Sequence, residues 1–261
     1  MHCPPSRKNN GFTLVELSIV IVIISLLVGG ILAGQTLLKA ADSRAIYTKA
    51  AEYIDSINKF NEKYQGLPGD LYNATSVWGA QNATPSTCQT TASTSPLTCD
   101  GDGDGHIGDS AATYYENFRA WQQLKNAGFI DGNYSGVTNG AANSNIAQIG
   151  TNVPEGTIVG SGFSIFYLNS GAANVYSNTG HAIFYGAEVT NSYTRGAAIN
   201  TETAWAIDKK VDDGEPGYGT VITSDTAINA DCATTNTAAT AEYDVADTKD
   251  RTCNLIFLFT D

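Results

Sequence analysis

The sequence predicts an α+β protein: a long N-terminal α-helix, first transmembrane and then amphipathic, packed against a C-terminal globular head with an antiparallel β-sheet. Three observations carry that expectation. Between Leu17 and Leu38 a predominantly apolar stretch contains no charged residue. From Lys39 to Tyr64 apolar side chains recur at steps of three and four with no proline among them. Beyond residue 70 the pattern breaks into short apolar or alternating runs between turn residues, as strands do.

The first element is short and basic. Residues 1–11, MHCPPSRKNNG, carry Arg7 and Lys8 and no acid. The uncharged stretch that follows is about 20 residues long, enough to cross a bilayer as a helix. Positive charge on the short side keeps that side in the cytoplasm and sends the rest of the chain outward. A cleaved secretory signal fits less well, because its apolar region is shorter and a small-x-small site should follow it. The nearest candidate is Ile31-Leu32-Ala33, and Ile31 is large. One residue is out of place: Glu16 stands at the edge of the apolar run, where a carboxylate at bilayer depth costs roughly 2.5–3.5 kcal/mol.

Gly11-Phe12-Thr13-Leu14-Val15-Glu16 accounts for that glutamate. This stretch, with the basic leader before it and the apolar run after it, resembles the N-terminal signature of type IV pilins and of the pseudopilins of type II secretion. The resemblance implies that a prepilin peptidase cuts between Gly11 and Phe12 and that the new N-terminus at Phe12 is methylated. It also implies a pilin-like fold and a role for Glu16 in assembly. Cleavage creates a positive amine at Phe12, which can neutralise Glu16 of a neighbouring subunit in a fibre. A buried charge is tolerated only when paired, so such a pair sets register.

The expected organisation is then a leader at 1–11, a transmembrane or fibre-core half-helix at 12–38, an amphipathic half-helix at 39–64, and a head at 65–261. In the amphipathic half, Ile46, Ala50, Tyr53, Ile54, Ile57, Phe60 and Tyr64 mark one face, with charged residues between them. A helix over 14–64 would be roughly 75 Å long. Gln65-Gly66-Leu67-Pro68 ends it, with glycine suited to the position after a helix and proline unable to continue one. In the head, residues 116–130 read as a second helix closed by Gly128. Segments 157–168, 181–189, 203–211, 218–223 and 254–260 read as strands. The Thr/Ser-rich stretch 84–98 reads as a loop.

Of five cysteines, Cys3 lies in the leader. The other four fall by spacing into two local pairs, Cys88 with Cys99 and Cys232 with Cys253, although four cysteines admit three connectivities. In a head carried across the membrane disulfides are the expected state. The Cys232 and Cys253 segment also resembles the disulfide-bounded loop of type IV pilins.

The sharpest motif of the head is CDGDGDGHIGD at 99–109. Asp100, Asp102 and Asp104 alternate as in an EF-hand loop, Gly105 supplies the turn, and the carbonyl of His106 and an apolar Ile107 follow. The bidentate glutamate that closes such a loop is replaced by Ala111, so Asp109 or Glu116 would complete the shell. The carboxylates repel one another unless a hard cation neutralises them, and Ca²⁺ is the expected ion. Magnesium demands stricter geometry. A second acidic turn contains Asp208, Asp212, Asp213 and Glu215 beside Pro216-Gly217.

Catalytic signals are poor. Three histidines are present, His2 in the leader, and no GxSxG, HExxH, P-loop or Cys/His dyad occurs. A net charge of −12 disfavours binding to nucleic acid. The sequence therefore predicts a structural subunit, not an enzyme. Its partners are pilin-like subunits in a homo- or hetero-polymer, the prepilin peptidase and the inner-membrane assembly machinery. The expected location is the inner membrane with a periplasmic head before assembly, and a periplasmic or extracellular fibre afterwards. The alternative from another class is a non-polymerising, membrane-anchored, calcium-binding adhesion or sensor protein.

Overall fold

A computed structural model describes residues 13–81, 96–108, 116–138, 146–169, 175–176 and 179–259. Helix α1 runs from Leu14 to Tyr64. By internal contacts the chain divides into two compact units, Met1–Ala41 and Asp42–Asp261.

In the first unit α1 is long and apolar enough to cross a membrane, and its apolar side chains are exposed. The hydroxyls of Ser18 and Ser25 donate to the carbonyls of Val15 and Ile21, both at 2.8 Å. That satisfies them within the helix, as a hydrocarbon environment requires.

The second unit is built on the remaining turns of α1. Ile46, Ala50, Tyr53, Ile57 and Phe60 are buried on one face, at the spacing read from the sequence. Full burial of Ile46, Ile57 or Phe60 contributes about 1.5–3 kcal/mol each. Tyr53 stands edge-on to Trp121, 4.9 Å between centroids, and to Phe163 at 5.2 Å. It thereby joins α1 to α3 (Glu116–Asn126) and to strand β1 (Ser161–Leu168). Helix α1 stops at Gln65, which takes the left-handed conformation (φ 57°) and donates to the Asn61 carbonyl at 2.8 Å. The left-handed position falls on Gln65 and not on Gly66, as an αL cap with a non-glycine residue.

The sheet is antiparallel, in the order β1-β2-β4-β3, with β2 at Gly180–Ala187, β3 at Val221–Ile222 and β4 at Leu255–Phe259. Its register aligns Ile165, Ile183, Phe257 and Val221 across four strands. These side chains join the core that includes α1 and α3. The next row, Phe184, Ile256 and Ile222, turns to the opposite face and packs with Tyr193, Val175 and Leu168. Both faces are thus covered, and the strands read as apolar runs for that reason.

One element differs in kind from the sequence reading. Residues 203–211, expected as a strand, lie in helix α4 (Thr201–Val211). Asn200 caps it, its side-chain oxygen accepting from the Thr203 amide at 2.9 Å. The buried residues Ala204, Ile207 and Asp208 fall at helical spacing. Helix α3 ends at Asn126, short of residue 130. Gly128 (φ 79°) and Phe129 close it through bonds to the carbonyls of Lys125 and Leu124, the Schellman pattern. The segment expected at 218–223 forms only the two-residue β3.

Candidate functional site

Candidate functional side chains lie in both units. In the first, Gly11 and Phe12 lie outside the described residues. Thr13 and Glu16 form a capping box at the start of α1. The Thr13 amide and hydroxyl donate to the Glu16 carboxylate at 2.8 and 2.9 Å, and the Glu16 amide donates back to the Thr13 hydroxyl at 3.2 Å. The carboxylate at the head of the apolar run is therefore oriented by its own helix terminus.

The second region is the loop at 99–108. Its frame is a short helix, α2 (Ala74–Trp78), together with the Gly69-Asp70 turn and the start of α3. Gly69 (φ 90°) passes so near the Glu116 carbonyl that a Cβ there would clash, and Gly101 passes equally close to the Asp70 backbone. That close approach brings two buried carboxylates, Asp70 and Glu116, onto one loop. Asp70 accepts from the amides of Gly103 (2.6 Å), Asp104 (3.1 Å) and Gly105 (2.9 Å). Glu116 accepts from Asp102 (3.0 Å) and Gly108 (3.1 Å).

Carboxylate oxygens of Asp70, Asp102, Asp104 and Glu116 all lie within 4.8 Å of one another. Oxygens that share a cation at about 2.3–2.6 Å can be at most twice that far apart, and the four meet that condition. Burial pushes the Glu116 carboxyl up to about 8 and the Asp70 carboxyl up to about 6, against the amides that donate to them and with neighbouring acids adding to the rise. The charged forms are disfavoured there, and a bound cation would reverse that.

Of the residues singled out in the sequence, Asp102, Asp104 and Glu116 come together. Asp100 does not join them: its two oxygens accept from the amide (2.7 Å) and hydroxyl (3.0 Å) of Thr75, at the start of α2. The His106 ring stacks on Tyr167, 3.8 Å between centroids. Asp109 lies outside the described residues. Asp70 is the member that sequence reasoning missed. The motif at 99–109 gives no local sign of it, because its pairing with the loop is long-range.

Asp208, Asp212 and Asp213 also bring carboxylate oxygens within 4.8 Å of one another. Asp208 accepts from the Tyr243 hydroxyl at 2.8 Å and the Gly214 amide at 3.0 Å. Asp212 accepts from the amides of Thr220 and Val221. The group fastens α4 to the start of β3 and to the segment after Cys232. Cys232 and Cys253 form a disulfide closing a sequence separation of 21, worth about 3 kcal/mol in the chain-entropy account. Cys99 is also disulfide-bonded, and Cys88 lies outside the described residues.

A chain with an exposed apolar helix of this length and an α+β unit on an antiparallel sheet has a pilin-like architecture. Residues 6–32 match the family model of the prokaryotic N-terminal methylation motif, the signature of type IV pilins and pseudopilins. No curated protein and no solved structure matches the chain. Gly11, Phe12 and Glu16 lie inside the matched segment.

Proposed function

We propose that the chain is a structural subunit of a type IV pilus-like or type II secretion pseudopilus fibre. The prepilin peptidase cuts it after Gly11, Phe12 is methylated, and the inner-membrane machinery assembles it through α1 with its head on the periplasmic side. One observation supports this above the rest: the methylation motif leads directly into a helix whose apolar side chains are exposed. Before assembly the bilayer covers those side chains, and in a fibre other subunits' helices do. Glu16 pairs there with the Phe12 amine of a neighbour, and the capping box holds its carboxylate at the helix terminus beforehand.

Calcium belongs to this reading as a stiffener. Asp70 follows closely on the end of α1, and Glu116 opens α3. An ion held by Asp70, Asp102, Asp104 and Glu116 ties these elements to one loop while neutralising carboxylates that burial disfavours.

The test is Glu16→Ala in cells. The variant is expected to insert into the membrane as the wild type does and to be lost or strongly reduced in sheared fibres. Normal fibres built solely from it contradict the pairing role given to Glu16.

A further inference from the structure

A cavity of about 360 Å³ lies between α4 and the segment that the Cys232–Cys253 disulfide closes, away from the loop at 99–108. That volume is at the small end of the roughly 300–1,000 Å³ of ligand clefts. Its walls combine three kinds of group. Trp205, a residue 36% exposed, supplies an aromatic ring. Ala238, Tyr243 and Val245 supply apolar surface, and Tyr243 offers only its ring, because its hydroxyl is donated to Asp208. Glu215 and Glu242, both exposed acidic residues, also line it.

Among the described residues, no cationic side chain lines the cavity. The indole ring already carries one cation outside it: the Lys209 ammonium sits 4.4 Å from the ring centroid, and Lys209 is not a lining residue. An aromatic residue, an apolar wall and two exposed glutamates match an amphipathic cation, with a hydrocarbon stem to lie on Val245 and a charged head to meet the glutamates. The net charge of −12 draws such a group toward the molecule. We infer that this cavity is a docking site for a lysine or arginine side chain presented by an extended segment of a partner protein. The inference does not rest on the assembly role of α1.

The experiment is isothermal titration of the full chain in a nonionic detergent with N-acetylated, amidated tetralysine. Saturable one-to-one binding is expected. Weakening by at least about tenfold is expected in Glu215→Gln/Glu242→Gln and in Trp205→Ala. The charge-matched control Glu62→Gln/Asp250→Asn should bind as the wild type does. Lys209→Met, which removes the competing ammonium, should bind more tightly. Thermal midpoints equal to wild type show that the variants are folded. Equal weakening in Glu215→Gln/Glu242→Gln and in the control shows attraction to net charge alone and overturns the proposal. So does the absence of saturable binding to the wild type.

Discussion

Asp70 and Glu116 hold the backbone of the same loop, Asp70 by the amides of Gly103, Asp104 and Gly105 and Glu116 by those of Asp102 and Gly108. Through these bonds the two carboxylates organise the loop. Truncating Glu116 leaves two amides without their acceptor, and the Gly108 bond is fully buried. Orphaning a buried donor costs about 1–3 kcal/mol. Glu116→Ala is therefore expected to lower the unfolding free energy by about 2–4 kcal/mol. Glu116→Gln, which keeps an acceptor oxygen, should lose less. Chemical denaturation of the two variants side by side checks this, and equal losses would remove the hydrogen-bonding account.

The calcium reading separates Asp70 from Asp100. Asp100 belongs to the alternating motif but binds Thr75, whereas Asp70 lies outside the motif but within the cluster. Added Ca²⁺ should raise the melting temperature of the wild type, and chelator should reverse the rise. Asp70→Asn and Asp104→Asn should abolish the response, while Asp100→Asn should keep it on a lower baseline. Loss of the response in Asp100→Asn with retention in Asp70→Asn would restore the EF-hand reading of the sequence.

A third expectation concerns pH. Burial raises Asp208 to about 7, opposing the donors Tyr243 and Gly214, with the charges of Asp213 and Asp212 acting in the same direction as burial. A carboxyl raised in the fold binds its proton more tightly there than in the unfolded chain. Its contribution thus favours the fold at low pH and is lost as pH climbs from the ordinary carboxylate range through about 7. The slope from this group is at most about 1.4 kcal/mol per pH unit. Asp208→Asn, which retains a side-chain acceptor, should flatten the decline relative to wild type in that window. Urea denaturation in chelator-containing buffers measures it, and identical profiles would mean Asp208 is ionised throughout.

The parts of this molecule legible in its sequence are those governed by local periodicity. The buried face of α1 from Ile46 to Phe60 repeats every three or four residues, and β1, β2 and β4 are apolar runs because both sheet faces are covered. Helix α4 reads as a strand in the sequence because Ala204-Trp205-Ala206-Ile207 alternates in size. The overlooked signal was Asn200 as a cap, with Ala204, Ile207 and Asp208 at helical spacing. The acidic loop was half legible. Its alternating aspartates are a local pattern, but which of them converge is decided by Gly69 and Gly101, where backbones pass too closely for any side chain. That proximity brings in Asp70 from a distant turn, while Asp100 binds Thr75 and stays apart.

The central claim is that residues 6–32 are a processing and assembly signal. Intact mass and N-terminal peptide mapping of the protein purified from its native membrane test it most directly. The account predicts a chain that begins at methylated Phe12. A chain that retains Met1 to Gly11 would contradict it, leaving Glu16 without the amine it is proposed to pair with and the helix as a plain anchor.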